Sequence, residues 1–214
     1  MTITNQPRGQ SILEALRWRY ATKEFDTTRK VSDEDMETIL ESICLAPTSR
    51  GLQPFQVVLV TDSATKGAIR KVAFDQVQPE SASHLLVFCA RPDTKDRAEK
   101  FFANASRNGA PEEIIAQMRK KVRLGNLVNA LTFSRKSWAT HQAYIALGYA
   151  TMTAAQLGID CCPMEGFFPS RVAKLLKLPK GLSPVVLLAV GYRSPTDKVR
   201  PKYRLSTAEL IVRV

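Results

Sequence analysis

Four short stretches of the chain carry residues whose types and spacing could do chemistry. They are Arg17-Trp18-Arg19-Tyr20-Ala21-Thr22-Lys23, Ala46-Pro47-Thr48-Ser49-Arg50-Gly51-Leu52-Gln53-Pro54, Pro163-Met164-Glu165-Gly166-Phe167 and Arg200-Pro201-Lys202-Tyr203-Arg204-Leu205. The first and last gather cations, and guanidinium forks and ammonium groups suit a phosphate. The second is a turn of small residues between a helix and a strand. In the third, Gly166 would let a backbone approach a ligand closely, since it has no Cβ. For any single Lys or Arg the alternative is a solvated surface charge, and taken alone that alternative prevails.

Other chemistries lack their residues. Four cysteines and two histidines are present, with no H-E-x-x-H and no C-x-x-C spacing, so a zinc site would be short of ligands. Cys44, Cys89 and Cys161 have apolar neighbours, and Cys161 and Cys162 are adjacent, so all four read as small hydrophobes. No G-x-G-x-x-G follows a strand, and there is neither a P-loop nor a G-x-S-x-G elbow. The formal charge of +11 is uneven: residues 1–90 carry ten Lys/Arg against eleven Asp/Glu, 91–150 eleven against five, and 151–214 ten against four. That surplus suggests an anionic partner, a phosphorylated small molecule or a nucleic acid.

The elements that must position these groups follow from periodicity. Ile12, Leu13 and Leu16 predict a short helix ending near Tyr20. Ser32 before Asp33, Glu34 and Asp35 is an N-cap, and Met36, Ile39, Leu40, Ile43 and Cys44 give the apolar face of a helix that stops at Pro47. Phe55 to Val60, Leu85 to Ala90 and Val185 to Val190 read as buried strands, with a helix from Ser63 to about Asp75. Residues 94–135 read as helical pieces with Pro111 at a start. Ser137 to Leu157 reads as a long buried helix closed by Gly158. Glu209 to Val214 reads as an apolar strand that would leave an unpaired edge unless it joined a second subunit. No linker or repeat divides the chain, so one domain over 1–214 is expected. With no apolar run near the ~20 residues of a membrane span and no signal-peptide pattern at Met1, a soluble, cytoplasmic protein is expected, with no membrane partner.

Together the four stretches, with Trp138 to Gly148, Leu157-Gly158-Ile159-Asp160 and Ala82-Ser83-His84, resemble the oxygen-insensitive nitroreductase family of FMN-dependent NAD(P)H oxidoreductases. The resemblance implies an α+β fold, a central, mostly antiparallel sheet flanked by helices, with the C-terminal strand exchanged between the subunits of a homodimer. It also implies FMN at the subunit interface and NAD(P)H as co-substrate. Hydride would pass by a ping-pong route through flavin N5 to nitroaromatic, quinone or similar electrophilic acceptors, with no catalytic side chain and no metal required. Carried over by motif, Arg19, Lys202 and Arg204 hold the phosphate and Lys23 contacts the flavin ring. Pro163, Met164, Glu165 and Gly166 lie along the ring, Glu165 either acting directly or pairing with a cation. Pro47, Thr48, Ser49 and Gly51 reach the partner's flavin.

The chain departs from the family pattern at several of these positions. Tyr20 and Ala21 replace a histidine and serine, and Asp75 and Gln78 stand where an asparagine and a lysine contact the ring, which lowers the expected flavin potential. Arg50 is expected toward the substrate side, favouring an anionic acceptor or a nicotinamide cofactor phosphate, or else toward solvent. Within the same fold an enone, pteridine or flavin reductase is the alternative. A basic nucleic-acid-binding module is disfavoured because aromatics are only 7% and the cations sit beside Gly/Pro turns.

Overall fold

The structure, a computed structural model, describes residues 12–132 and 134–214, with side chains for all of these except 126–132. In chain order they form α1 (Ile12–Trp18), α2 (Asp33–Leu45), a 3-10 turn (Ser49–Gly51), β1 (Phe55–Val60), α3 (Ser63–Lys71), α4 (Gln78–Ser81), β2 (His84–Ala90), α5 (Thr94–Arg107), α6 (Glu112–Thr132), α7 (Arg135–Gln156), β3 (Asp160–Met164), α8 (Pro169–Leu175), β4 (Ser183–Gly191) and α9 (Thr207–Leu210).

Strands that are apolar at every position must be covered on both faces. The sheet runs β1-β2-β4-β3 with every neighbour antiparallel, so the most apolar strands, β2 and β4, are the inner pair. Leu86, Phe88, Val186 and Leu188 pack with α2 and α7 through Ile39, Ile43, Ala143 and Ala146. Leu85, Val87, Cys89 and Leu187 point the other way, onto Ile69 of α3 and Val172 of α8. A third cluster joins α5, α6 and α7 through Phe102, Ile115, Val122 and Trp138. The arrangement is α+β, three layers with the sheet in the middle.

Ser32 caps α2 by accepting from the Asp35 backbone N–H at 3.2 Å, as the sequence implies. α3 ends at Lys71 rather than near Asp75, because Phe74 and Asp75 both take positive φ, 53° and 55°, which no helix continues. β3 escapes the sequence reading because it is five residues long and contains Pro163; as an edge strand it tolerates the missing N–H. Glu209 to Val214 is not a strand here. Ser206 and Glu209 form a capping box that starts α9, and residues 211–214 carry no strand pairing among the described residues. α7 is not buried all round: Ile145 and Tyr149 are exposed, 40% and 44%.

Two buried polar arrangements hold the elements in place. The Lys66 ammonium on α3 is buried and donates to the carbonyls of Ala82 and Ser83 at 2.5 and 3.2 Å, fixing the entry to β2. Asp160, at the start of β3, takes the Arg193 guanidinium on both oxygens at 2.7–3.0 Å, and also accepts from the Arg193 backbone N–H at 2.9 Å. Removing one partner of such a buried pair strands the other, at a cost of roughly 3–5 kcal/mol. Asp160→Asn is therefore expected to lower the unfolding free energy by about that much in urea titration, and Asp160→Asn with Arg193→Met to recover part of the loss.

His84 supplies a pH dependence. Burial, then the charges of Lys66 and Lys30, hold its imidazole below the usual 6.5. The folded chain therefore binds fewer protons than the unfolded chain between that lowered value and 6.5. Stability from this group is fully present above 6.5 and is lost as pH falls through the lowered value. Melting temperatures measured from about pH 5 to 8 should rise with pH up to about 6.5, with no further gain from this group above it, and His84→Gln should flatten the slope below 6.5.

Candidate active site

Segment 18–25 leaves α1 and runs along the open edge of β3. Ala21 bridges Cys161 in parallel, the Thr22 N–H donates to the Cys161 carbonyl at 3.4 Å, and Phe25 bridges Arg193. The Thr22 hydroxyl reaches Asp160 at 3.3 Å, and the Arg193 guanidinium lies 4.6 Å from the ring centres of both Trp18 and Tyr20. Arg19, Tyr20, Ala21 and Lys23 are thereby held at one place on the surface.

The basic loop folds back over them. The Lys202 ammonium donates to the carbonyls of Leu16, at 3.1 Å, and Arg17, the free acceptors in the last turn of α1. The Tyr20 hydroxyl donates to the Asp197 carboxylate, which also accepts from the Lys23 N–H at 3.3 Å. Burial and the Asp197 carboxylate raise the Tyr20 phenol above its ordinary pKa, so it stays a neutral donor. The result is a cavity of about 190 Å³ lined by Arg19, Tyr20, Ala21, Lys23, Lys198, Arg200, Pro201, Lys202 and Arg204.

Its electrostatics are one-sided. Six of those nine residues are Lys or Arg and none is acidic. Burial, followed by the charges of Arg19, Arg204 and Arg193, holds the Lys202 ammonium below the usual lysine range. The Arg19 Nε is buried with no hydrogen-bond partner among the described residues. Six cations around one hollow, with no acid among the lining residues, suit an anion. Beneath it, burial pushes the Cys161 thiol up to about 12 and raises Cys162 as well, so neither is an activated nucleophile.

The structure brings together Arg19, Tyr20, Ala21, Lys23, Lys202 and Arg204 of the sequence-predicted residues. Pro163 and Met164 lie on β3 beside Cys162, which feels the Lys23 charge. Glu165 pairs with no cation among the described residues; it accepts the Tyr144 hydroxyl at 2.5 Å. Gly166 meets Gln76, whose amide donates to the Gly166 carbonyl at 2.9 Å and to Ala73 at 3.1 Å. Asp75 is forked by Arg70, at 2.9 and 3.3 Å, and Arg70 also grips Glu80 at 2.7 Å, so the carboxylate at this position carries its own counter-charge. Gln78 is buried in α4.

The loop with Pro47, Thr48, Ser49, Arg50 and Gly51 lies outside the cation cavity and is braced by α5–α7. The Ser49 N–H donates to Gln142 at 2.8 Å, and a Cβ on Gly51 would fall 2.8 Å from Phe101. Arg50, with φ of 60°, packs its guanidinium against Gly125 and lies 5.4 Å from the Trp138 ring centre. Sequence reasoning missed Lys198 as a cavity residue and gave Arg200 only as part of the basic stretch 200–205, although the alternation of cations at 198, 200, 202 and 204 was there to be read. It also missed Asp197, Gln76, Tyr144 and Arg70, for which no local pattern exists.

Comparison with known proteins adds the following. The nitroreductase family profile matches residues 16–192. A Bacillus subtilis protein named "Putative NAD(P)H nitroreductase YfkO" is 35% identical over 218 residues, covering 94% of this chain and 96% of its own. A Staphylococcus aureus protein with the same description is 35% identical over 215 residues, covering 91% and 93%. A structure from Exiguobacterium sibiricum, described as "a putative nitroreductase in complex with FMN", superposes with a TM-score of 0.85 at 23% identity over 99% of this chain and 100% of its own. An enone reductase, CLA-ER, shares the fold with a TM-score of 0.77 at 17% identity, over 97% and 100%.

The contact at Gly166 can be tested directly. An ideal Cβ there would lie 2.7 Å from the Gln76 amide nitrogen, which is held by two carbonyls. Gly166→Ala should destabilise the fold by about 1–3 kcal/mol in chemical denaturation. Gly166→Ala with Gln76→Ser, which clears the space, should regain most of that.

Proposed function

The chain belongs to the nitroreductase family, and from that premise we propose that it is an FMN-dependent NAD(P)H oxidoreductase acting as a single nitroreductase-like domain in a homodimer. The observation that carries this reading is the cavity itself. Arg19, Lys202 and Arg204, which come from opposite ends of the chain, line one hollow whose lining holds six cations and no acid. The donor set fits a phosphate monoester, which carries between one and a half and two negative charges.

On this reading Arg19, Lys202 and Arg204 hold the phosphate, while Tyr20 and Ala21 wall the same hollow. Bound FMN would supply the chemistry, hydride acceptance from NAD(P)H and delivery to a nitroaromatic, quinone or similar acceptor. Lys23 offers a positive charge beside β3 that favours electron density on a neighbouring ring. The 163–166 backbone provides the close approach, with Gly166 hemmed by Gln76. Arg70 compensates Asp75, so Asp75 lowers the flavin potential less than an unpaired carboxylate would. No side chain needs to move a proton, which agrees with thiols and phenols held in their neutral forms.

A homodimer is supported by the exposed apolar groups that a lone chain leaves on α1, α7 and the C-terminal segment: Ile12, Leu13, Tyr149, Ile211 and Val212. A partner would also bring the Pro47, Thr48, Ser49 and Gly51 loop to the flavin of the other subunit. The extended, exposed residues 211–214 are free to add to a partner's sheet, although they form no strand within one chain.

The purified protein is expected to be yellow, to release about one FMN per chain on denaturation, and to be bleached by NAD(P)H with ping-pong kinetics. Arg19→Gln and Arg204→Gln should each weaken FMN retention by roughly 10- to 100-fold, the worth of one charge-assisted hydrogen bond. Equilibrium dialysis measures this; a colourless protein that refuses added FMN would sink the reading.

A further inference from the structure

The basic loop holds more positive charge than one phosphate can use. We propose that Lys198 and Arg200 form a second phosphate subsite, beside the one formed by Arg19, Lys202 and Arg204, for a phosphoryl group on a second molecule. The inference rests on the FMN reading of the cavity, because it concerns the charge that reading leaves over.

Three observations carry it. First, Lys198, Arg200, Lys202 and Arg204 alternate along a segment with no helix or strand pairing, and all four line the cavity. Of the residues between them, Pro201 lines the cavity too, while Val199 and Tyr203, 56% and 86% exposed, do not. At no more than about 3.3 Å per residue, Lys198 and Lys202 leave the backbone at most roughly 13 Å apart. A phosphate gripped by Arg19, Lys202 and Arg204 still leaves Lys198 and Arg200 on the cavity wall.

Second, the charge does not balance. The lining holds six cations and no acid, and Asp197, the residue before Lys198, offsets at most one of those charges while accepting from the Tyr20 hydroxyl and the Lys23 N–H. A phosphate monoester removes at most two of those charges. The repulsion left over favours a second anion.

Third, the backbone that carries the two exposed side chains is held on both sides. Asp197 anchors one side, through Tyr20 and through its own N–H to the Ser194 carbonyl at 3.0 Å. Lys202 anchors the other side on the end of α1. Pro201 fixes the backbone between Arg200 and Lys202. Binding would then order two side chains and not the loop that bears them.

The phosphoryl group could belong to the nicotinamide dinucleotide or to a free polyphosphate, and titration separates the two. The FMN-loaded protein, wild type and Lys198→Gln/Arg200→Gln, is titrated at low salt with inorganic pyrophosphate and, separately, with 2′,5′-ADP, by calorimetry. The wild type should bind at least one of them, and the double variant should bind about tenfold more weakly while carrying the same FMN per chain and melting at the same temperature. Tighter binding of 2′,5′-ADP than of pyrophosphate assigns the subsite to the dinucleotide, and the NADPH KM should then rise in the variant. Equal binding assigns it to free phosphoanions. No binding to the wild type, equal binding by the variant, or loss of FMN from the variant each overturns the proposal. If the wild type refuses FMN, the cofactor reading fails instead. The same titration of the flavin-free chain then decides the subsite by whether the variant loses pyrophosphate.

Discussion

The cation cavity depends on one buried ion pair, Asp160 with Arg193. Its members stand at the start of β3 and just beyond β4, so the pair pins the antiparallel strands together where the ladder ends. It also captures the chain coming off α1. Thr22 reaches Asp160, Trp18 and Tyr20 lie against the Arg193 guanidinium, and Phe25 bridges the Arg193 backbone. Gly191 allows the close crossing, since a Cβ there would fall 2.9 Å from the Phe25 ring. A buried ion pair seldom adds much net stability over a well-packed apolar group. What it contributes here is position: it fixes where Arg19 and Lys23 emerge relative to β3.

The second constraint is repulsion among like charges. Arg19, Arg204 and Arg193 all press on Lys202, which the fold accommodates by letting its ammonium donate to the open carbonyls of α1. A C-terminal loop with no regular structure is thus tied to the N-terminal helix by helix-end electrostatics. The surplus of basic residues in 151–214 has a local explanation in this loop, and an anion in the cavity would relieve the repulsion that the loop sustains. Ligand binding and loop order are coupled through the same few charges.

Much of this was legible in the sequence, and the exceptions have physical reasons. The apolar runs of β1, β2 and β4 and the capped periodicity of α2 are local signals, and the cation clusters at 17–23 and 200–204 announced an anion site. β3 was hidden because five residues with an internal proline look like a loop unless the neighbouring strand is known. The end of α3 was misjudged because nothing local marks Phe74 and Asp75 for positive φ. Glu209 to Val214 looked like a strand by composition, yet the Ser206–Glu209 capping box, itself a sequence pattern, wins over four residues. Pairings such as Arg70 with Asp75 and Glu80, or Tyr144 with Glu165, join side chains that only the fold can introduce.

The helical stretch from α5 to α6 acquires a role from geometry. Among the described residues α5 and α6 do not line the cation cavity; they brace the loop of Pro47, Thr48, Ser49 and Gly51 through Phe101, Gly125 and, with α7, Trp138 and Gln142. Arg50 sits in that brace, partly desolvated, which holds its guanidinium below the usual arginine range. A chain that uses this loop to face a partner's flavin, as proposed, would set the loop's reach by how α5 and α6 pack behind it. Changes in 94–132 would then alter which acceptors fit without disturbing the cations that hold the phosphate. On the proposed reading the division is a physical one: the sheet edge and the C-terminal loop would fix the cofactor, and the helical excursion would shape what approaches it.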